Sequence, residues 1–208
     1  MSHRGHGHSH EHHRHDADGA RDKDRFAGHT CMSSVLGYLK HIYGADDEGR
    51  VKSPVAKQTV EFLSVKLREY IDESKNWKSV IDLGTGATLH NELALSRHFE
   101  RITMAEYQRN AREVLETWLD GGKGIGFDWS HFYRFVGALE GIKPESVCQR
   151  TRDRVVDVVH CDVRQPHCAL PKDRKLVWTM DALNNSGGVG QLGKLIDGAC
   201  KDLNGNMA

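Results

Sequence analysis

The stretch Val80-Ile81-Asp82-Leu83-Gly84-Thr85-Gly86 joins an apolar, β-branched run to a Gly-x-Gly turn. Leucines recur at helical spacing in residues 87–99, so the pattern predicts a strand, a tight turn and a helix in succession. Glycine permits the turn and lets a ligand approach the backbone where a Cβ would block it. A dinucleotide fingerprint needs a third glycine about three residues later, and a P-loop needs Gly-Lys-Ser/Thr. Neither follows, so the loop is poorly built for a pyrophosphate or a triphosphate.

Strands and helices alternate along the rest of the chain. Further strands are expected at residues 101–107, 157–163 and 175–182, and helices at residues 33–44, 55–71, 110–121, 130–141, 145–159 and 191–205. Strands that alternate with helices indicate a parallel sheet covered on both faces. The predicted fold class is α/β, a Rossmann-like doubly wound parallel sheet.

The composition excludes several classes of protein. The 208 residues carry 29 basic and 29 acidic side chains, so no net charge attracts nucleic acid or an anionic membrane. No run approaches the ~18 apolar residues of a membrane-spanning helix, and no secretory signal is visible. Five cysteines at wide spacing, without Cys-x-x-Cys, favour reduced thiols. A cytoplasmic protein with no nucleic-acid or membrane partner is expected.

The first thirty residues differ from the remainder. They hold eight of the fourteen histidines and almost no apolar residues, so residues 1–30 are expected to form a disordered tail before a domain at 31–208. Dense imidazoles would bind divalent metal ions weakly, without fixed ligand geometry. A merely solubilising or expression-added tail is the alternative. No defined metal site is expected elsewhere, because the histidines and cysteines at 160–168 are poorly spaced for one.

Acidic residues end two of the expected strands. Glu106 lies about twenty residues beyond the glycine turn, where a carboxylate accepts both hydroxyl protons of a ribose. Asp162 ends the third strand in the same way. Each acid alone also fits a solvated strand end or a helix cap. Together with the turn, they indicate a ligand with a ribose and a base but no phosphates, and S-adenosylmethionine meets that description.

Several local motifs together resemble the small-amine N-methyltransferases, the family of the nicotinamide, phenylethanolamine and indolethylamine enzymes. The resemblance spans residues 33–205. In its first half, the matching motifs are Tyr38-Leu39 with Tyr43, Ile81-Asp82-Leu83-Gly84-Thr85-Gly86, and Glu106-Tyr107 followed by Trp118-Leu119. In its second half, they are Phe127-Asp128-Trp129-Ser130 followed by Leu139-Glu140-Gly141, then Cys161-Asp162-Val163, and finally Val177 to Thr179. The most specific of them is Phe-Asp-Trp-Ser with its downstream Leu-Glu-Gly. The resemblance implies a class I S-adenosylmethionine-dependent methyltransferase fold.

The resemblance also implies roles for residues around the cofactor. Gly84, Thr85 and Gly86 would admit its methionine part, whose carboxylate would use exposed loop amides. Glu106, where the family usually has aspartate, would bind the ribose. Tyr107 would stack beside the adenine, with packing at the sheet edge as the alternative.

Further roles lie beyond the turn. Asp162 would accept from the adenine amino group, and the Val163 amide would donate to the ring. Tyr38 and Tyr43 would exclude water, with ordinary core packing as the alternative for both. The remaining assignments are Thr179 beside the sulfonium, Asp181 near the acceptor substrate, and His90, in place of the family's tyrosine, as a pH-dependent contact of the methionine carboxylate.

The expected function is S-adenosylmethionine-dependent N-methylation of a small amine or a pyridine-like nitrogen. No catalytic residue is assigned, because transfer from a sulfonium needs alignment and exclusion of water rather than a nucleophile on the protein. The chain lacks the C-terminal strands of the family, and the domain is therefore expected to be truncated. Two alternatives stay open: a non-catalytic or truncated relative that binds the cofactor, and a histidine-rich metal-binding protein.

Overall fold

The computed structural model describes residues 31–71, 77–121 and 127–162, together with the backbone of residues 176–178. Its strands are β1 (Ser79–Leu83), β2 (Arg101–Glu106), β3 (Val155–His160) and β4 (Leu176–Trp178). All pair in parallel in the order β3-β2-β1-β4, with Val80 opposite both Ile102 and Leu176. The predicted parallel α/β sheet is confirmed.

The winding direction of the chain reverses beside β1. From β1 the chain steps outward to β2 and β3, and β4 then pairs on the opposite side of β1. In open parallel sheets, ligands bind outside the carboxyl ends of the strands at such a reversal. The Gly84–Gly86 turn directly follows β1 and therefore lies at this point.

Six α-helices accompany the described strands: α1 (Met32–Tyr43), α2 (Pro54–Glu61), α3 (His90–Leu95), α4 (Arg109–Leu119), α5 (Ser130–Glu140) and α6 (Pro144–Arg154). Local chemistry sets several of their ends. The Ser53 hydroxyl accepts from the Ala56 amide at the start of α2, where Pro54 supplies a preset first turn. Gly141 ends α5 in the left-handed conformation, at φ 69°.

Three predicted helix boundaries are wrong. The helix expected at 145–159 ends at Arg154, because the β-branched run from Val155 pairs with β2 as β3. The helix expected at 55–71 is α-helical only to Glu61 and continues as the π-helix Phe62–Lys66 and the 3-10 helix Leu67–Glu69. The helix expected from residue 87 begins at His90, because the preceding residues belong to the turn. The helix expected at 191–205 lies outside the described residues.

The core fills the space between the sheet and its helices. Every residue of β1 is buried, which fits a central strand. Large buried side chains come from elements on several sides, among them Leu39, Leu63, Leu93, Phe99 and Phe132. In the described part of the chain, no helix is both long and apolar enough to cross a membrane.

A buried ion pair ties α5 and α6 to α3. The Arg150 guanidinium contacts the two oxygens of Glu140 at 2.5 and 3.2 Å, and it also donates to Ser96 Oγ and the Leu93 carbonyl. Only 3% of the Glu140 side chain is exposed. The glutamate of the Leu-Glu-Gly motif therefore has a structural role in the described fold.

Candidate functional site

The glycine turn after β1 is held against β2 and is open on its other side. Gly84 and Gly86 have φ values of 75° and 65°, which glycine adopts without strain. The amides of Gly84 and Thr85 donate to the Ala105 carbonyl at 2.7 and 3.4 Å, and Thr85 Oγ1 donates to the Asp82 carbonyl. A Cβ built on Gly86 would meet no atom of the described residues within 4 Å. The turn thus presents bare backbone to open space.

Glu106, at the end of β2, reaches back to the same turn. Its Oε2 accepts from the Gly86 amide at 2.8 Å, and its Oε1 accepts from the Gln108 amide at 2.7 Å. A carboxylate has about four acceptor sites, and the described residues occupy two of them. The structure therefore brings together the turn and the acid that the sequence placed twenty residues apart.

The expectation of free loop amides is wrong for the turn itself. The amides of Gly84 and Thr85 are bonded to Ala105, and that of Gly86 is bonded to Glu106. A buried backbone N–H is normally paired, and here β2 supplies the partners. A ligand carboxylate would need donors other than these three.

The end of β3 joins the same edge. The Cys161 amide donates to the Glu106 carbonyl at 3.2 Å, and the half-buried Asp162 follows directly. Tyr107 is 49% exposed, with its ring 5.7 Å from that of His160. The carboxyl ends of β1, β2 and β3 therefore meet at one edge, and Tyr107 lies on its exposed rim.

Aromatic side chains from α1 and α5 gather around the start of α3. The buried Tyr43 ring lies 4.9 Å from the His90 ring, 6.2 Å from Trp129 and 6.5 Å from Phe132. Tyr38 is more exposed and meets Tyr43 edge-on at 5.9 Å. The Phe-Asp-Trp-Ser motif thus supplies a wall, Trp129, for the tyrosine pair. Tyr43 is a core residue as well as a neighbour of His90 at the start of α3.

His90 is buried at the first position of α3. Burial lowers the pKa of His90 to about 4, so the ring is neutral near neutral pH. Its Nδ1 finds no hydrogen-bond partner among the described residues. A pH-dependent contact at His90 was expected, but the lowered pKa places any charging of this ring below the physiological range.

Two buried acids beneath the turn were missed as functional candidates. Asp82, in β1, is 1% exposed, and Glu92, in α3, is fully buried. Asn91 Nδ2 donates to Asp82 Oδ2 at 3.1 Å. Burial raises the pKa of both carboxyls, and their mutual repulsion raises it further for Glu92. The available signal was an acid inside an apolar strand with a second acid ten residues later in an apolar helix.

Some predicted site residues lie outside the described part of the structure. These are Val163, Thr179 and Asp181. Among the described residues, no group of three or more histidine, cysteine or acidic side chains could hold a metal ion; the histidine-rich tail is outside that part.

The prediction of reduced thiols is wrong for Cys161. Among the described cysteines, Cys31 and Cys148 are free, whereas the buried Cys161 is disulfide-bonded. An odd number of cysteines and wide spacing exclude a dense disulfide framework, but they do not exclude a single bond.

Comparison with known proteins identifies the family of this chain. A profile described as the NNMT/PNMT/TEMT family matches residues 33–188. Phenylethanolamine N-methyltransferase from Sus scrofa is 37% identical over 92 residues, which cover 43% of this chain and 32% of that protein. Nicotinamide N-methyltransferase from Sus scrofa is 34% identical over 150 residues, 67% of this chain and 56% of that protein.

A third relative, indolethylamine N-methyltransferase from Oryctolagus cuniculus, is 31% identical over 95 residues, 45% of this chain and 36% of that protein. The matches to these three relatives thus span from about a third to just over half of their lengths. The family profile covers most of the described fold, including the glycine turn, the β2 acid and the aromatic cluster. This chain belongs to the NNMT/PNMT/TEMT family.

Proposed function

We propose that this chain is an S-adenosylmethionine-dependent N-methyltransferase that acts on a small amine or a pyridine-like nitrogen. The names of its relatives support the reaction class, since each is an N-methyltransferase of an amine or of nicotinamide. The observation that carries the proposal is the contact between the Glu106 carboxylate and the Gly86 amide. This contact joins the acid that we propose to bind the ribose to a bare-backbone turn, at the point where the strand order reverses.

The residues present fit the cofactor. The open space beside Gly86 leaves room for close approach to the backbone, which any side chain there would occupy. Glu106 retains acceptor sites for the ribose hydroxyls. Asp162 stands at the neighbouring strand end, where it would accept from the adenine amino group, and Tyr107 offers an exposed ring at the rim. Val163 and Thr179 would complete this set, as the family resemblance implies.

When bound, S-adenosylmethionine would supply a methyl group already attached to a good leaving group. The chain then has to align the methyl donor with the acceptor nitrogen and exclude water. Positioning of this kind lowers an activation barrier by on the order of 7–11 kcal/mol. Tyr43, fixed by Trp129 and Phe132, would cover the donor side together with Tyr38. Asp181 would lie near the acceptor amine.

A methyl-transfer assay tests the proposal. The chain is incubated with S-adenosylmethionine labelled in its methyl group and a panel containing nicotinamide, phenylethanolamine, tryptamine and unrelated alcohols. We expect label in at least one nitrogen acceptor and none in the alcohols. Cofactor binding without transfer to any nitrogen acceptor would favour the non-catalytic relative. Absence of both binding and transfer would contradict the proposal.

Two further predictions from the sequence accompany this proposal. A cytoplasmic location and weak binding of divalent metal ions by residues 1–30 both stay predictions, which cell fractionation and a zinc titration of the full chain would check.

A further inference from the structure

Four buried polar atoms beneath the glycine turn have no hydrogen-bond partner among the described residues. They are His90 Nδ1, Asn91 Oδ1 and both carboxyl oxygens of Glu92. Asp82 and Glu92 are buried together, at 1% and 0% exposure, and their carboxyls interact with each other. An isolated ionised carboxylate at such depth is costly, so the arrangement needs an explanation.

A proton on one of the two carboxyls removes the cost of burying two negative charges side by side. Two carboxylates are both acceptors and cannot bond to each other, whereas a carboxylic acid donates to a neighbouring carboxylate. Asn91 has one amide donor on Asp82 Oδ2, which favours the negative charge on Asp82 and the proton on Glu92. Buried carboxyl pairs of this kind titrate as a unit, with the last proton held to high pH.

Among the described residues, none of the groups that interact with the pair is a cation. The Asp82 carboxyl interacts with the Glu92 and Asn91 side chains and with the negative charge of Glu106. The Glu92 carboxyl interacts with Asp82. From α6, Arg150 donates to the Leu93 carbonyl and to Ser96 Oγ, and it pairs with Glu140 of α5. His90, the other titratable group at the start of α3, is neutral near neutral pH because burial lowers its pKa. The described neighbours therefore favour retention of the proton.

We propose that Asp82 and Glu92 hold one shared proton beneath the glycine turn, and that its loss at alkaline pH destabilises the junction of β1, turn and α3. In the retained form, the Glu92 O–H donates to the Asp82 carboxylate. Ionisation breaks that hydrogen bond, releases the proton to solvent and leaves two repelling carboxylates. The turn is coupled to the pair because Thr85 Oγ1 donates to the Asp82 carbonyl. This inference concerns the unliganded chain and does not depend on the proposed methyl transfer.

The direction of the pH effect follows from the raised pKa of Glu92. Above the ordinary glutamate value of 4.5, the unfolded chain releases this proton while the folded chain keeps it. The folding equilibrium constant then falls by up to about tenfold per pH unit, until the pair ionises in the folded state. Stability from this pair is thus complete at low pH and lost as the pH rises.

Infrared spectroscopy and unfolding of the full chain without ligand test the proposal. We expect the wild type at pH 7 to show the carbonyl band of a protonated carboxyl, which disappears on alkaline titration. E92Q, whose amide still donates to Asp82, should lack the band. Both E92Q and E92L should lose stability less steeply than the wild type between pH 5 and 9 in urea unfolding.

The control is E100Q, since Glu100 is an exposed partner of Lys78 and should leave both readouts as in the wild type. Absence of the protonated-carboxyl band at pH 7, or E92Q and E92L that follow the wild-type pH dependence, would overturn the proposal. If neither Glu92 variant folds, the infrared titration of the wild type alone tests whether the pair holds a proton. Failure to bind or transfer a methyl group would leave these readouts unchanged.

Discussion

Glu106 combines two tasks in one carboxylate. It fixes the glycine turn through the Gly86 amide, and it keeps acceptor sites at the edge where the ribose is proposed to bind. We predict that E106A weakens binding of S-adenosylmethionine by roughly 1–3 kcal/mol, about 5- to 150-fold, because the hydroxyls lose a charged acceptor. Equilibrium dialysis with labelled cofactor measures the change.

E106D is the matched control for this substitution. It keeps a carboxylate, and aspartate is the residue that the family usually has at this position. We therefore expect a smaller loss of cofactor affinity than in E106A. Urea unfolding of both variants separates loss of the turn anchor from loss of the ligand contact. Unchanged cofactor affinity in a folded E106A would show that the acid does not face the cofactor.

His90 should make stability depend on mildly acidic pH. Its folded pKa of about 4 lies below the ordinary 6.5, so its contribution is complete above pH 6.5 and is lost as the pH falls toward 4. The full effect is about 3 kcal/mol, since one pKa unit corresponds to about 1.4 kcal/mol. H90F should therefore lose less stability than the wild type between pH 7 and pH 4 in urea unfolding.

His41 provides the comparison, because it is exposed on α1. H41F should keep the wild-type pH dependence. A parallel loss in wild type and H90F would mean that His90 is not buried in its neutral form.

A substitution of Gly86 would introduce backbone strain and also obstruct ligand access, and a comparison of two glycines separates these effects. Gly86 and Gly141 have nearly equal φ values of 65° and 69°, and a Cβ on either would meet no atom of the described residues within 4 Å. Alanine at either position should cost about 1–2 kcal/mol of stability, because of the left-handed backbone. Only G86A should also weaken cofactor binding, since only that Cβ would occupy the open space beside the turn.

Thermal unfolding and equilibrium dialysis on the two variants check this prediction. Equal cofactor affinity in folded G86A and G141A would remove the turn from the binding site. A much larger destabilisation in G86A alone would instead indicate a packing role for Gly86.

The packing of α5 and α6 against α3 depends on a buried ion pair. Removing the Glu140 carboxylate leaves the Arg150 charge without its partner, and breaking such a pair typically costs ~3–5 kcal/mol. E140A should therefore lower the free energy of unfolding by roughly that amount. Arg150 retains contacts with Ser96 and Leu93, which places the expected loss near the lower figure.

E100A is the exposed counterpart, because Glu100 pairs with Lys78 at the surface. It should cost less than ~1 kcal/mol. Urea denaturation of both variants gives the comparison, and similar losses in the two would show that the Glu140–Arg150 pair is as weak as a surface pair.

Over the whole molecule, the sequence predicts local features better than contacts between distant segments. The strand, the Gly-x-Gly turn and Glu106 follow from apolar runs and glycine, whose effects are local. The π-helix after α2 and the end of α6 at Arg154 do not, because tertiary packing and pairing with β2 outweigh local periodicity.

The exposed strand-end residues of the candidate site could be predicted from the sequence, whereas its buried contacts could not. Residues at strand ends could be proposed from the sequence, since the carboxyl ends of parallel strands share one edge. The pairing of the Gly86 amide with Glu106, and the burial of Asp82 beside Glu92, depend on how β1, β2 and α3 pack. Sequence spacing alone does not encode those distances.

The central claim is that the ends of β1, β2 and β3 form one adenosine-binding cleft. Calorimetric titration of the chain with S-adenosylhomocysteine tests it most directly, with a second titration in the presence of excess adenosine. We predict one bound molecule per chain and weaker apparent binding when adenosine competes. Absence of binding by a folded chain, or binding that adenosine does not affect, would contradict the claim.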